Sequence, residues 1–516
     1  MSERILWADD EIDLLKPHIL FLRGKGYDVV TTNSGAEALD LIDDERFDIV
    51  FLDENMPGLT GVETLERIKS KYPALPVVMI TKSEEETIMN DAIGSNISDY
   101  LIKPVNPHQI LLAVKKNLEN RKLVSEKTSM AYQRQFQEIG SRLSVSLDFN
   151  EWVDIFKQLV HWELELSRSQ NESLRDIFLM QKGEAGSVFA RFVKENYTDW
   201  LKGQSETKPV LSHTLFREKC LPLIKNENKI FLIIIDNLRF DQWKAIRPRI
   251  EEMYRLVQED IYCGILPTAT QYARNAFFAG LLPGEIQKKY PNYWTRERDE
   301  GSRNQFEKEL LEEQIKRLGG GVSFHYHKIL NLTAGKKLSQ TLNDYLNKQL
   351  NVLVYNFVDM LSHSRTEMEV IKELADDEAA YRSLTVSWFD HSPLYEIMRQ
   401  LAAKKIPIII TTDHGSVRVQ NPTKVVGDKN TNTNLRYKTG KNLQYNPKEV
   451  FEVKYPEDAY LPRDHVSANY IFALENRFFA YPNNYNYYVN YYKNTFQHGG
   501  VSLDEMMVPF VYLTPK

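Results

Sequence analysis

Five short apolar segments, RILWA, YDVVTT, DIVFLD, PVVMIT and DYLIK, recur between residue 4 and about residue 120, separated by amphipathic helical patterns. Strands too apolar to expose either face need helices on both, and the alternation therefore predicts a doubly wound parallel sheet. The same signal returns in KIFLIIID at 229–236, NVLVYNFVD at 351–359 and IPIIITTDHG at 406–415, so a second α/β domain is expected. Residues 121–205 read as helix throughout, polar at first and then with an apolar stripe through Trp152, Ile155, Phe156, Leu159 and Val160. The expected architecture is an α/β multidomain chain: a sheet domain over 1–120, a helical-bundle linker over 121–205 and a larger α/β domain over 206–516. Within the last, 285–345 is polar and charged, with a helix near NQFEKELLEEQIKRL, as expected of an insertion over the sheet edge.

A chain of 516 residues exceeds what one hydrophobic core supports, which agrees with several domains. Its apolar runs fall short of membrane-spanning length, and the opening MSERILWADDE puts acids where a secretory leader carries bases. A cytoplasmic protein is expected. With only Cys220 and Cys263, neither a disulfide framework nor a cysteine zinc cage is available, so any metal must be held by His and carboxylate. The net charge of -6 weighs against nonspecific DNA binding as the main role.

In open α/β sheets, ligands bind at the carboxyl ends of the strands. In the first domain those ends carry Asp9 and Asp10, then Asp53, then Thr81, then Lys103 followed by Pro104. Three clustered carboxylates ionise cheaply only around a cation, and an oxygen-rich site suits Mg²⁺. The ordered set, with DENMPG and YLIKP around it, resembles the bacterial response-regulator receiver over essentially all of 1–120. The resemblance implies that Asp53 accepts a phosphoryl group and that Asp10, Asp53 and the Asn55 carbonyl hold Mg²⁺, assisted by Asp9. Thr81 and Lys103 would bind the phosphoryl oxygens, and Tyr100 would reorient with Thr81.

The second domain repeats the pattern with different donors. Asp236 follows the strand FLIII, and Asp413 and His414 follow IPIIITT. Carboxylates at the ends of buried strands are costly unless paired or metal-bound. Asp359 and His363 lie four apart in DMLSH, on one side of a helix if one begins there, and His498 sits in HGG. Three Asp and three His without thiolates suit two zinc sites of mixed N and O ligation. LPTATQYARNA, NFVDMLSH, TTDHGS and HGGVSLDEMMVPF resemble the alkaline phosphatase superfamily, and more closely its PglZ branch. The resemblance implies that Asp359, His363 and His498 bind one zinc, and that Asp236, Asp413 and His414 bind the other. Thr270, the second Thr of PTAT, matches the superfamily nucleophile, and its attack would give a phosphothreonine that water hydrolyses. A phosphate-binding Asn or Arg often follows the nucleophile, and both Arg274 and Asn275 qualify.

Three further features bear on the substrate. RYKTGKN supplies Arg436, Lys438 and Lys441, which are expected to contact phosphate from a flap or to lie in a solvated loop. YPNNYNYYVNYY is expected to pack in the core or at an edge, with nucleobase stacking as the alternative. His325 and His327 in FHYHKI lack an associated carboxylate and are expected to be structural, while His465 in RDHVS borders the second site.

The order of receiver, helical linker and PglZ-type domain resembles the response-regulator family of the type IX secretion system. That implies a sensor histidine kinase as partner, along with the cytoplasmic part of the secretion motor and an extracytoplasmic-function sigma factor. It also implies hydrolysis of linear or cyclic oligonucleotides and a phosphorylation-dependent homodimer. A signalling scaffold whose zinc domain only binds is the competing expectation.

Overall fold

The computed structural model describes residues 3–82, 97–168, 172–296, 302–367, 375, 377–428, 431–463 and 468–516, leaving aside the side chains of 119–129 and 363–367. It divides into two compact units, Met1–Gln135 with Arg168–Asn171, and Phe136–Ser167 with Glu172–Lys516.

The first unit is built on β1 (Arg4–Ala8), β2 (Asp28–Thr32), β3 (Ile49–Asp53), β4 (Val77–Thr81) and β5 (Asp99–Ile102), in the order β2-β1-β3-β4-β5. All pairings are parallel. Because alternate side chains leave opposite faces, β1 and β3 feed two cores. Leu6, Val50 and Leu52 enter one, and Ile5, Trp7, Ile49 and Phe51 enter the other. The helix Gly61–Lys71 opens with a Thr60/Glu63 capping box, and its first residue approaches the chain so closely that a Cβ there would lie 2.2 Å from the Asp53 carbonyl oxygen. Only glycine permits that approach.

In the second unit, β6 (Ile230–Ile235), β7 (Tyr254–Cys263), β8 (Phe324–Ile329), β9 (Leu350–Tyr355), β10 (Ile408–Thr411) and the C-terminal strand Met507–Pro515 form one sheet. Its order is β7, the C-terminal strand, β10, β6, β9, β8. β10, β6, β9 and β8 run parallel, while the C-terminal strand is antiparallel to both neighbours. Every residue of β6, β9 and β10 is buried, as strands covered on both faces must be. The 285–345 segment contains the expected helix, Glu307–Arg317, but it also supplies β8, so FHYHKI extends the sheet instead of lying over its edge.

The linker helices Phe149–Arg168 and Glu172–Lys202 pack within this second unit. Trp152 meets Phe189 edge-on at 5.2 Å, Phe156 meets Phe240 at 5.8 Å, and the Tyr197 hydroxyl accepts a hydrogen bond from the Leu266 amide at 2.7 Å. The last contact braces the chain just ahead of PTAT.

Candidate active sites

At the carboxyl end of the receiver sheet, Asp9, Asp10 and Asp53 offer carboxylate oxygens within 4.8 Å of one another, with Asp9 and Asp53 buried and Asp10 exposed. Lys103 Nζ lies 2.7 Å from Asp53 and 2.9 Å from Asp9. Burial raises the Asp53 carboxyl above its ordinary range, and Asp9 and Asp10 add to this against the opposing Lys103. Burial also opposes the charge on Lys103, but its bonds to Asp53 and Asp9 win, and its pKa is raised. Thr81 is buried, with its hydroxyl donated to Glu54. Asn55 is exposed in the loop after β3. Tyr100 lies opposite Met79 on β5, half-buried against one core. The structure thus brings together the acidic set and Lys103, with Thr81 at the end of the neighbouring strand.

The second cluster forms where β6, β9 and β10 end. Asp236, Asp413 and His414 present ligand atoms within 4.8 Å of one another, all buried. A helix, Phe357–Glu367, does begin at DMLSH and carries Asp359, whose carboxylate lies 3.5 Å from His498 Nε2. The side chain of His363, on the same helix, lies outside the described residues, as does His465. The His414 and His498 rings stack at 4.3 Å, so the two donor groups adjoin. Each ring is oriented from behind: His414 Nδ1 lies 3.1 Å from the Gly415 carbonyl, and His498 Nδ1 lies 3.1 Å from that of Thr268. A carbonyl only accepts, so both Nδ1 atoms carry a proton and both Nε2 atoms face the carboxylates. Gly499 has φ 125°, and a Cβ there would meet the Tyr437 ring at 2.6 Å, so glycine is what lets the loop set His498 in place.

These donors fit a pair of cations. Burial, reinforced by Asp413 and Asp359 and only partly offset by Arg274, pushes Asp236 up to about 7. Asp413 is raised by burial as well, its Oδ2 has no hydrogen-bond partner among the described residues, and burial lowers His414 toward the neutral, ligating form. Zinc would be served by this hard-and-borderline donor set, with open positions left for substrate.

Thr270 is the first residue of the helix Thr270–Ala279, and its Oγ1 lies 3.1 Å from His414 Nε2 and 3.5 Å from Asp236 Oδ1. A helix N-terminus there favours an anion. Beside it opens a cavity of about 500 Å³ lined by Asp236, Thr270, Arg274, Asn304, Lys328 and Asp359, among others. Of the two phosphate-binding candidates, Arg274 lines the cavity, clamped at 2.6 Å to both Asp236 and Glu307. Asn275 is buried and holds the Arg303 carbonyl and the Asn304 amide.

Arg436 and Lys438 correct the flap expectation. RYKTGKN is not a loop but largely the strand Tyr437–Lys441, and Arg436 is fully buried, paired with Glu505 at 2.6 Å and bonded to the carbonyls of Glu475 and Arg477. Lys438 is buried too, bonded to the Asn432 carbonyl at 2.8 Å and lying over the Tyr481 ring. Neither is presented to a substrate; both are struts. The tyrosine run forms the helix Tyr485–Tyr492, in which no residue is fully buried but Val489 and Tyr492 pack against Val417, Val419 and Phe478, the edge position of the two expected. His325 and His327 sit in β8, His327 packed on Tyr345 at 4.2 Å.

Sequence reasoning passed over Glu307, Tyr326 and Lys328. Strand alternation in FHYHKI was the available signal, because it puts Tyr326 and Lys328 together on one face.

Three family descriptions match the chain: a response regulator receiver domain over 5–115, a PorX response regulator linker domain over 122–201, and the BREX system PglZ alkaline phosphatase-like domain over 215–513. The last spans more than half of the chain. The chain belongs to the PglZ alkaline phosphatase-like family, in the PorX-type arrangement of receiver, linker and PglZ domain.

Two curated relatives each match about a quarter of the chain. The alginate biosynthesis transcriptional regulatory protein AlgB of Pseudomonas putida is 38% identical over 120 residues, 23% of this chain and 27% of that protein. The transcriptional regulatory protein ZraR of Escherichia coli is 32% identical over 136 residues, 26% and 31% of the two chains. The chain thus spans about a quarter to a third of the length of these relatives. Among solved structures, a CheY-like receiver domain protein from Methanospirillum hungatei is 28% identical, covering 23% of this chain and 96% of its own, with a TM-score of 0.23.

Proposed function

We propose that the chain is a two-component response regulator, phosphorylated on Asp53 with Mg²⁺ held by Asp10, Asp53 and the Asn55 carbonyl, whose output domain is a two-zinc phosphodiesterase. The observation that carries the enzymatic part is the position of Thr270: its hydroxyl stands at a helix N-terminus, 3.1 Å from His414 Nε2, beside a cavity. Asp359, His363 and His498 would hold one zinc and Asp236, Asp413 and His414 the other. Zinc supplies Lewis-acid polarisation of the phosphoryl oxygen and lowers the pKa of a hydroxyl.

The chain's own groups do the rest. Thr270 Oγ1 gives up its proton to solvent and attacks phosphorus as the bond to the leaving oxygen breaks, that oxygen departs as the alcohol by taking a proton from solvent, and water then cleaves the phosphothreonine ester and restores the hydroxyl. Arg274 neutralises Asp236 and, through Glu307, is kept rigid at the cavity wall.

The linear or cyclic oligonucleotides implied by the PorX-type arrangement are the substrate class proposed. The remaining proposals are a cytoplasmic location, a sensor histidine kinase as phosphodonor, and contact with the type IX secretion motor and an extracytoplasmic-function sigma factor. No helix among the described residues is long and apolar enough to cross a membrane.

The test is turnover of an aryl phosphodiester and the matching monoester by one zinc-loaded sample. The expected result is measurable hydrolysis with the diester faster. Protein inert toward both with two zinc ions bound would favour the signalling scaffold.

A further inference from the structure

The cavity beside Thr270 has two kinds of wall. Asp236, Thr270, Arg274 and Asp359 belong to the reaction proposed above, whereas Asn304, Gln305, Tyr326 and Lys328 come from the insertion and the edge strand β8 and have no part in it. Lys328 is the cation among these. Its strand is set by the pairing from Phe324↔Leu350 to Ile329↔Tyr355, and the alternation sends His325 and His327 toward Tyr345 and sends Tyr326 and Lys328 toward Glu307.

An ammonium group has three donors. Lys328 Nζ gives one to the Asn304 carbonyl at 2.8 Å and lies 3.3 Å from Glu307 Oε2. That carboxylate is already shared with Arg274 at 2.6 Å and with the Tyr326 hydroxyl, so the charge on Lys328 is only partly met. Its side chain is 22% exposed, against 1% for Arg274, and the residue lines the cavity. Asn304 fixes its position relative to the nucleophile, because the Asn304 side-chain amide donates to the Thr270 carbonyl at 3.0 Å while its own carbonyl takes the Lys328 bond. A half-neutralised ammonium held at set reach from a phosphoryl-transfer hydroxyl is suited to a second phosphate, which it binds as a point charge without the planar fit a guanidinium demands.

We propose that Lys328 determines specificity by binding a phosphate that flanks the scissile one, so that oligonucleotides with an additional phosphate are preferred over a bare diester. This rests on the phosphohydrolase reading of the Thr270 site.

The test uses the full chain loaded with zinc. Turnover of the dinucleotide TpT is compared with that of pTpT and TpTp, with bis(p-nitrophenyl) phosphate as a minimal diester, for wild type, Lys328→Gln and Lys328→Arg of verified zinc content. Wild type is expected to favour at least one terminally phosphorylated dinucleotide by about tenfold in kcat/KM, mainly through KM, which is the size of one charge-assisted contact. Lys328→Gln should bring that ratio close to one, and Lys328→Arg should keep most of it. The proposal is overturned if wild type shows no such preference, or if Lys328→Gln slows all substrates in parallel and leaves the ratio intact. Cleavage of the aryl diester together with equal turnover of TpT, pTpT and TpTp would sink this inference alone, whereas wild type inert toward all four substrates would sink the phosphohydrolase reading with it.

Discussion

Burial raises the Asp53 carboxyl even with Lys103 2.7 Å away, so the ionised nucleophile is costly until a cation joins Asp9 and Asp10. A small phosphodonor with Mg²⁺ should therefore label wild-type protein with a phosphoryl group that hydroxylamine releases, as it does from an acyl phosphate, and should leave Asp53→Ala unlabelled; equal labelling of the variant would remove Asp53 from the account. The proposed zinc ligands make a second prediction. Elemental analysis should find two zinc ions per chain, falling to about one in His498→Ala or Asp359→Ala, and one ion or none in wild type would contradict the two-metal site. Asp236, Asp413 and His414 were legible in the sequence because each follows a strand with no other polar reason to end in a charge. Arg436 and Lys438 were misread because the partner that buries Arg436, Glu505, lies 69 residues away, and nothing local in RYKTGKN announces it. Lys328 was missed for a related reason: the HxH pattern drew attention to the face of β8 that points away from the cavity.

Between the linker helices and the domain they brace lies a buried ionic network. Arg382 holds Glu163 at 2.8 Å and Asp241 at 3.0 Å, Lys182 holds Glu163 at 2.8 Å and Asp504 at 3.3 Å, and Arg239 pairs with Asp241 and Glu378. Glu163 and Lys182 belong to the two linker helices, so the network ties those helices to the helix Phe240–Glu251 that follows β6. Removing Arg382 takes one of two cations from both Glu163 and Asp241, which keep Lys182 and Arg239, and Arg382→Met should cost on the order of 3 kcal/mol, the low end for a broken buried pair. Adding Glu163→Gln to that variant should recover part of the loss. The denaturant midpoint of the tryptophan fluorescence transition reads both, and an unshifted midpoint in Arg382→Met would show the network to be dispensable. The helices themselves were legible from the apolar stripe through Trp152 and Phe156, but the ionic part of their union with the second domain was not, because Glu163, Lys182, Asp241 and Arg382 are charged and read as surface. The Tyr485–Tyr492 helix is an edge element: Val489 and Tyr492 pack on the small core of Val417, Val419 and Phe478, while other rings stack on one another, as Tyr487 on Tyr491 and Tyr488 on Tyr492.

At the scale of the whole chain, the sequence passes from the receiver unit to the second unit within the helix Pro107–Leu143. A phosphoryl-driven change near Tyr100 has that helix as its covalent route onward, and a self-complementary receiver face would convert it into a two-fold assembly. Sedimentation at micromolar protein with saturating Mg²⁺ and Zn²⁺ should show a shift from monomer toward dimer on adding a phosphoryl mimic; identical sedimentation would count against receiver-driven assembly. The phosphodiesterase proposed as the receiver's output turns on a single oxygen. Thr270 Oγ1 is the hydroxyl set beside Asp236 and His414, so Thr270→Ala should keep its fold and both zinc ions yet lose at least ~100-fold in phosphodiesterase rate, roughly 2.7 kcal/mol of transition-state stabilisation. Thr270→Ser, which keeps the oxygen, should retain part of the activity. Measured on zinc-replete full-length protein, a collapse in Thr270→Ala with partial retention in Thr270→Ser is the predicted result, and a Thr270→Ala protein that cleaves the diester at the wild-type rate would contradict it.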